Sequence, residues 1–171
     1  GISAGIIVDH RPFSGARGWS GEIGHICTDP SGPLCSCGAT GCLEAYLGLR
    51  ALAERSGLDR HATVEDIRKA AENGSKQARE ALEEGGAALG RALSAVINSA
   101  DIPLVLLGGI VAELSKWLVP AAEKEIETRV LQYAWSQPKL EVIRDSQGLD
   151  SRGAAYRILQ RLVDDPMAWT A

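Results

Sequence analysis

Candidate metal ligands are concentrated between residues 25 and 42 of the sequence. One histidine and three cysteines fall there: His25, Cys35, Cys37 and Cys42. Thiolate sulfur and neutral imidazole nitrogen both suit Zn²⁺, and four protein ligands complete a tetrahedral shell that leaves no position for a substrate. Gly38 and Gly41 lie between the last two cysteines, where the chain must reverse its direction and glycine permits positive φ angles. The residue types and their spacing therefore predict a structural rather than a catalytic zinc site.

Two alternatives to metal binding stay open for the cysteines at this point. They could be buried, reduced thiols, or they could form a disulfide in a secreted protein. The sequence shows neither a charged-then-apolar leader nor an apolar run approaching the ~20 residues of a membrane span. We therefore expect a cytoplasmic protein without a membrane span, in which metal binding accounts for the cysteines better than a disulfide does. Cys27, the cysteine outside the quartet, is expected to be a small buried thiol that could exchange as a ligand.

The overall composition indicates a globular chain and argues against one class of partner. Of the 171 residues, 45% are hydrophobic and 23% are charged, which is enough for one domain with its own core. The formal net charge is −4. Binding to nucleic acid depends on clustered lysine and arginine that neutralise phosphates, so this chain by itself is not expected to hold DNA.

Two carboxylates accompany the four candidate ligands. Glu22 precedes His25 in the glycine-rich loop 15–24, and Glu44 follows the last cysteine at the start of a predicted helix. A polar side chain held in a rigid loop beside a metal site is well placed to bind a ligand. The alternative is that Glu22 is a solvated loop residue and that Glu44 is favoured only by the positive end of the helix dipole.

The elements that must position these residues begin with a strand and a hairpin. Residues 6–9 are mostly apolar and β-branched, and residues 9–12 supply a turn. Helical spacing of apolar residues starts at Leu43 and continues to Ser56–Gly57. Glu44 is therefore expected in the first turn of a helix.

Two further helices are predicted between residues 63 and 100. Thr63 and Asp66 have the spacing of a capping box, which opens a short helix that Gly74 ends. Ser75 begins a longer helix that contains Gly85–Gly86, and each glycine there costs about 1 kcal/mol relative to alanine. We expect a close helix approach or a kink at this glycine pair.

The next segment predicts a strand, a glycine-bearing loop and a helix. Residues 104–107 form a short apolar strand, Gly108–Gly109 follow, and helical spacing begins at about Ala112. Such a loop lets backbone approach a nucleotide phosphate closely, although a glycine pair without the fuller fingerprint also occurs as a plain turn. Residues 140–143 are the last predicted strand, and a closing helix is expected over 151–163. Strands separated by helices predict an α/β domain with parallel pairing.

Two stretches resemble the signature motifs of a known family. Glu22-Ile-Gly-His25 matches the ExGH motif, and Cys35-Ser-Cys37-Gly-Ala-Thr-Gly-Cys42-Leu-Glu44 matches the CxCGxxGCxE motif, of the ROK family, named for repressors, open reading frames and kinases. The resemblance is clear over residues 1–109 and fainter to the end. It implies the second half of an actin-like, ribonuclease-H-like ATPase fold, with a zinc knuckle at 25–44 and a helical insertion at about 50–100. On this resemblance residues 1–171 are a C-terminal sugar-binding domain whose N-terminal half is absent from the sequence.

The resemblance also assigns roles to individual residues. It implies that zinc is held by His25, Cys35, Cys37 and Cys42, and that hydroxyls of a hexose or N-acetylhexosamine contact Glu22, His25 and Glu44. One ring nitrogen of His25 can bind zinc while the other donates to a sugar oxygen. The candidate nucleotide-binding glycines are Gly1, Gly108 and Gly109. A homodimer or higher oligomer is expected.

One departure from the family pattern bears on activity. Family kinases read Gly-Thr-Gly-Ile-Gly where this chain starts, so Gly1 matches one glycine and Ser3 occupies the position of the next. A side chain there crowds the backbone that cradles phosphate, and the catalytic aspartate of the kinases belongs to the missing half.

Three functions remain possible for the chain. It could be the effector half of a sugar-responsive regulator that binds DNA through an absent domain, or half of a sugar kinase that uses ATP and Mg²⁺. It could also be a zinc-stabilised module without a ligand. We favour the regulator.

Overall fold

The computed structural model describes residues 1–143 and 148–169, and these contain short strands and a larger number of helices. The strands are β1 (Ile6–Val8), β2 (Arg11–Phe13), β3 (Leu104–Leu107) and β4 (Lys139–Val142). The helices are α1 (Glu44–Leu47), α2 (Leu49–Arg55), α3 (Val64–Glu72), α4 (Lys76–Ala100), α5 (Gly109–Glu113), α6 (Ser115–Arg129) and α7 (Leu149–Asp164). Single 3-10 turns lie at Ile23–His25 and Pro166–Trp169. The predicted mixture of strands and helices is confirmed, whereas the assignment to half of an actin-like fold stays a prediction.

The strands form two separate two-stranded sheets within the described residues. β1 and β2 are an antiparallel hairpin in which Ile6 lies opposite Phe13. The hairpin was predicted, but Arg11 and Pro12, which were expected in its turn, belong to β2. Asp9 and His10 form its turn with positive φ angles. β3 and β4 are parallel, and the helices α5 and α6 provide the crossover connection that parallel neighbours require. The expected parallel pairing is therefore confirmed.

Side-chain caps mark the positions at which α3 and α4 begin. The Thr63 hydroxyl accepts from the Asp66 N–H, and the Asp66 carboxylate accepts from the Thr63 N–H, so the predicted capping box is present at the start of α3. The Ser75 hydroxyl accepts from the Ala78 N–H and caps α4. α4 ends at Asp101, which adopts a left-handed conformation with φ 51°.

Two predicted helix boundaries were wrong. The helix expected from Leu43 to Ser56 is interrupted at Gly48, whose ψ of 137° turns the chain between α1 and α2. The helix expected from about Ala112 begins earlier, at Gly109, because Gly108 already acts as its N-cap. Both boundaries fall at a glycine, although the φ angles of Gly48 (−57°) and Gly108 (−121°) are accessible to any residue.

The centre of the fold is the packing of α4 against α6. Gly86 and Gly90, one helical turn apart on α4, face Leu118, Ala121 and Ala122 of α6. A β-carbon on Gly86 would lie 2.9 Å from the Ala121 β-carbon and 3.0 Å from the Leu118 α-carbon. α4 is continuous through this region. Of the two expectations for the glycine pair, close helix approach is therefore confirmed and the kink is not.

Apolar side chains from most helices and from the start of α1 complete the core. The largest of its fully buried members are Leu43, Leu47, Leu52, Ile67, Leu82, Ile97, Leu114, Leu118 and Ile126.

At the edge of the α4–α6 contact, Glu125 accepts from Arg91 at 2.8 Å and from Arg129 at 2.5 Å. Partial burial acts to raise the pKa of Glu125, but the two guanidinium groups outweigh it and hold that pKa below its usual value. None of the described helices combines the length and the apolar composition that crossing a membrane requires.

The glycine-mediated contact predicts a site-specific loss of stability. Gly86→Ala should lower the free energy of unfolding by about 1 to 3 kcal/mol, because the added methyl group meets backbone that cannot move without displacing α6. Urea denaturation followed by far-ultraviolet circular dichroism measures the change. Gly153→Ala is the matched control, since it also lies within a helix but a β-carbon there has no neighbour within 4 Å. An equal response of the two variants would contradict the assigned packing.

Candidate metal centre and polar site

The knuckle, residues 25–44, is held by backbone hydrogen bonds rather than by regular secondary structure. The Gly41 carbonyl accepts from the Thr28 N–H at 2.7 Å, and the Gly41 N–H donates to the Pro33 carbonyl at 2.8 Å. Gly41 has a φ of +73°, and a β-carbon there would lie 2.6 Å from the Asp29 carbonyl carbon. The expectation that glycine is needed for this reversal is confirmed at Gly38, with φ +92°, and at Gly41.

The structure brings the four predicted ligands to one point. The candidate donor atoms of His25, Cys35, Cys37 and Cys42 all lie within 4.8 Å of one another. The Cys37 and Cys42 sulfurs are 3.7 Å apart, and the His25 Nδ1 atom is 3.9 Å from the Cys35 sulfur. Zn–S bonds of about 2.3 Å in a tetrahedral shell separate two sulfurs by about 3.8 Å. The donor set and its spacing fit a tetrahedral ion such as zinc.

Two thiols of the quartet have shifted pKa values. Burial, reinforced by the neighbouring Cys37 and Cys35, raises the pKa of the Cys42 thiol to about 12. The pKa of the Cys37 thiol is lowered, first by the backbone hydrogen bond at Ala39 and then by the Cys35 side chain. Three sulfurs this close cannot all carry negative charge unless a positive ion compensates them, so metal binding here must displace protons.

Cys27 differs from its prediction. Its side chain is exposed instead of buried, and its backbone forms a single antiparallel bridge with Cys42. The bridge fixes the strand-like alignment of the two chain segments, and in that alignment the Cys27 side chain is left outside the cluster of donor atoms. The four described cysteines are all free thiols, so the disulfide alternative has no support.

The predicted polar residues lie on or beside the 3-10 turn Ile23–His25. Glu22 immediately precedes this turn and His25 ends it, and the Glu44 side chain is 22% exposed. A β-carbon on Gly24 would lie 3.3 Å from Glu44 Oε2, so the Glu44 carboxylate rests against the turn that ends at His25. Glu22 and His25 are both exposed, and their joint role with Glu44 stays a prediction.

Glu44 also makes a contact that the sequence did not indicate. Its Oε2 atom accepts from the Ile2 N–H at 2.5 Å. The adjacent backbone is fixed by the Ala4 N–H, which donates to the Gly21 carbonyl at 2.8 Å. Gly48 leaves room for the carboxylate, because a β-carbon there would lie 2.5 Å from Glu44 Oε1. The start of the chain is therefore part of the wall of this polar site.

Two further residues in or near the knuckle, Asp29 and Tyr46, were not predicted to contribute to the site. The Tyr46 hydroxyl donates to Asp29 Oδ2 at 3.0 Å. Asp29 followed by Pro30 is a turn signal that could have pointed to the first residue. No sequence signal identifies Tyr46, since its partner is 17 positions away.

The candidate nucleotide-binding glycines lie in two different places. Gly1 lies beside the Glu44 carboxylate, with 3.9 Å between Glu44 Oε2 and an idealised Gly1 β-carbon. Gly108 and Gly109 follow β3, which belongs to the other sheet. Gly109 has a φ of +54°, so the turn uses the freedom of glycine, and their role toward a nucleotide stays a prediction.

A groove of about 740 Å³ has Glu44 in its lining. It runs between residues 33–36 of the knuckle and α2, and its walls include Leu34, Arg50 and Glu54. Glu22 and His25 are not among the residues that line it. Glu44 is therefore the one predicted polar residue that borders this groove.

Comparison with known proteins gives consistent results over most of the chain. The ROK family model matches residues 1–161. The N-acetylglucosamine repressor of Escherichia coli O157:H7 is 34% identical over 174 aligned residues, which cover 94% of this chain and 42% of the repressor. A ROK family transcriptional regulator, a homologue of the E. coli MLC protein, superimposes with a TM-score of 0.72 at 31% identity, covering 82% of this chain and 38% of its own. The ROK hexokinase from Thermus thermophilus gives a TM-score of 0.75 at 26% identity, covering 91% and 53%. The chain thus spans about half the length, or less, of these relatives.

The metal site predicts one zinc ion per chain. Protein prepared without chelator should contain one equivalent by elemental analysis, and chelation should disorder residues 25–44, because structural zinc contributes on the order of 10 kcal/mol in small metal-folded peptides. Amide hydrogen exchange should locate the loss in the knuckle and leave the α4–α6 core protected. Cys37→Ser should lose the metal, whereas Cys27→Ser, a matched exposed cysteine, should keep it. Wild-type protein with no zinc and four reactive thiols would refute the assignment.

Proposed function

The chain belongs to the ROK family, and we propose that it is the sugar-binding part of a sugar-responsive transcriptional regulator stabilised by one structural zinc ion. The observation that carries the proposal is the contact of the Glu44 carboxylate with the turn Ile23–His25. We take Glu22, His25 and Glu44, two carboxylates and an imidazole, as the groups that line the sugar site. Such a group is suited to a polyhydroxylated ligand, because neighbouring hydroxyls donate to the carboxylates and accept from the ring N–H.

Zinc has a positioning role in this proposal. His25, Cys35, Cys37 and Cys42 would hold the ion, which supplies the positive charge that the clustered thiols need. The Nδ1 atom of His25 lies 3.9 Å from the Cys35 sulfur, and we assign the other ring nitrogen, Nε2, to the ligand. Metal binding would fix the ring orientation and its tautomer, so that Nε2 carries the proton and donates to a sugar oxygen.

The ligand is proposed to be a hexose or an N-acetylhexosamine. Glu22 and Glu44 accept from adjacent hydroxyl groups, and the Ile2 N–H bound to Glu44 Oε2 keeps that carboxylate oriented. N-acetylglucosamine is the first candidate, because a repressor named for this sugar is 34% identical to the chain. Discrimination among sugars would depend partly on residues outside this sequence.

One observation favours the regulator over a kinase: Ser3 is exposed at the position where family kinases carry a glycine next to the phosphates. Relatives of both kinds match the chain, so the sequence identities do not separate the two functions. The alternative is half of a sugar kinase that uses ATP and Mg²⁺, with Gly1, Gly108 and Gly109 near the nucleotide. The protein would act in the cytoplasm as a homodimer or higher oligomer, and DNA would be bound by another domain of the intact protein.

A regulator needs only that the sugar binds one domain arrangement more tightly than another. A ligand shifts such an equilibrium by no more than its difference in affinity for the two states. The residues around Glu44 are suited to this task because they join three chain segments, namely the chain start, the 3-10 turn and α1. A sugar that tightens this junction would favour one position of the segment that begins at Gly1.

The sugar site predicts a specific loss of affinity. Glu22→Gln in the intact protein should weaken binding of N-acetylglucosamine about tenfold or more, because an unpaired polar group in a binding site costs roughly 1 to 3 kcal/mol. Isothermal titration calorimetry measures the affinity. Glu83→Gln removes an exposed glutamate of α4 far along the chain and should leave affinity unchanged. Equal affinities for Glu22→Gln and wild type would remove Glu22 from the site.

The functional assignment predicts DNA binding without phosphoryl transfer. Phosphoryl transfer needs an unobstructed backbone cradle, a metal ion and an aspartate base in line with the sugar hydroxyl, so the serine at position 3 should disfavour it. The intact protein should bind operator DNA in a sugar-dependent manner, measured by fluorescence anisotropy, and should not convert ATP to ADP with any hexose. Sugar phosphorylation at about 1 s⁻¹ or faster, the ordinary range for kinases, would establish the alternative.

A further inference from the structure

Asp29 lies in the part of the knuckle between His25 and Cys35, where it forms several hydrogen bonds. Its Oδ1 atom accepts from the Ser31 N–H at 2.9 Å, and its Oδ2 atom accepts from the Tyr46 hydroxyl at 3.0 Å. Its carbonyl accepts from the Gly32 N–H at 2.9 Å. Asp29 therefore fixes the turn that leads toward Cys35 while it is itself attached to α1.

The same residue is tied to the segment that ends at Cys42. The N–H groups of Thr28 and Asp29 both donate to the Gly41 carbonyl, at 2.7 and 3.3 Å. The Thr28 hydroxyl donates to that carbonyl as well, at 3.1 Å. Because Gly41 directly precedes a candidate metal ligand, a shift of Asp29 would move Cys42.

The Tyr46 side chain is buried and has defined contacts on several sides. Its side chain is 6% exposed, and the Arg55 guanidinium lies 4.9 Å from the centre of its ring. Arg55 in turn forms an ion pair with Glu84 of α4. Gly32 leaves space for the hydroxyl, since a β-carbon there would collide with it. The Tyr46 ring is thus linked through Arg55 to Glu84 of α4.

Burial, followed by the hydrogen bond to Asp29, raises the pKa of Tyr46. The phenol therefore keeps its proton at neutral pH and acts as the donor. The carboxylate of Asp29 is the acceptor, so the bond is charge-assisted and stronger than one between neutral groups.

We propose that Tyr46 and Asp29 form a clamp that holds the knuckle closed around its metal ion and slows release of that ion. Tyr46 is a positioning residue in this arrangement, since its hydroxyl reaches the metal ligands only through Asp29 and the backbone of Gly41. The clamp rests on the proposed zinc site and adds to it a link from the knuckle to the core helices. Opening the knuckle requires that the Tyr46–Asp29 bond breaks first.

The test is the rate at which zinc leaves the 171-residue chain. Zinc-loaded protein is mixed with excess 4-(2-pyridylazo)resorcinol, and absorbance of the zinc complex gives the release rate well below the unfolding temperature. Tyr46→Phe removes only the hydroxyl and should release zinc about three- to tenfold faster than wild type, the effect of one lost hydrogen bond. Asp29→Ala also loses the bond from Ser31 and should release zinc faster still.

A double-mutant cycle separates a clamp from two unrelated effects. If the two side chains act through one bond, the Tyr46→Phe change should have little further effect in the Asp29→Ala background. Rates that multiply in the double variant would overturn the proposal, and so would a wild-type rate for Tyr46→Phe.

A third variant separates local opening from general instability. Gly90→Ala weakens the α4–α6 contact further along α4 from Glu84, where a β-carbon would meet Ala122 and Glu125 of α6, and should release zinc at the wild-type rate. If it releases zinc as fast as Tyr46→Phe, release follows global unfolding and the clamp is refuted. Absence of zinc from the wild-type chain would instead refute the zinc site on which the clamp rests.

Discussion

The constraint on which the site depends is that four donor atoms must meet within a stretch of chain that has almost no regular secondary structure. In a helix or a sheet the repeating backbone bonds would position the side chains. Here single bridges, Cys27 with Cys42 and Leu34 with Thr40, perform that task. The positive φ angles of Gly38 and Gly41 make the reversal between them sterically accessible. A metal ion that joined the two sides of this turn would supply free energy that so few backbone bonds cannot.

Glu44 connects the knuckle to the rest of the site. It opens α1, two positions after the last candidate metal ligand, and its carboxylate holds the Ile2 N–H and rests against Gly24. One side chain thereby aligns the chain start, the 3-10 turn and a helix. Because only Leu43 separates Cys42 from Glu44, any displacement of Cys42 also moves Glu44, and a structural metal could affect ligand binding in this way.

The packed helices α4 and α6 form the core against which α1 and, through it, the knuckle are positioned. α4 and α6 approach closely because Gly86 and Gly90 carry no side chain, and the Arg91–Glu125–Arg129 group closes the edge of their contact. Leu43 and Leu47 extend the same core into α1. Tyr46, lying between them in sequence, is therefore fixed by the core and can hold Asp29 in place.

The sequence by itself determined the features that depend on residue type and on short spacing. The metal quartet, the Thr63–Asp66 capping box, a hairpin with its turn within residues 9–12 and the parallel pairing of β3 with β4 were all predictable, because each follows from local chemistry or from the order of the elements. Only the tertiary structure decided which distant groups meet. The Glu44 bond to Ile2 spans 42 positions, the Tyr46 bond to Asp29 spans 17, and the choice between a kink and close packing at Gly86 depended on α6. Spacing along a chain specifies one face of one element, whereas contact between elements depends on how several faces pack together at once.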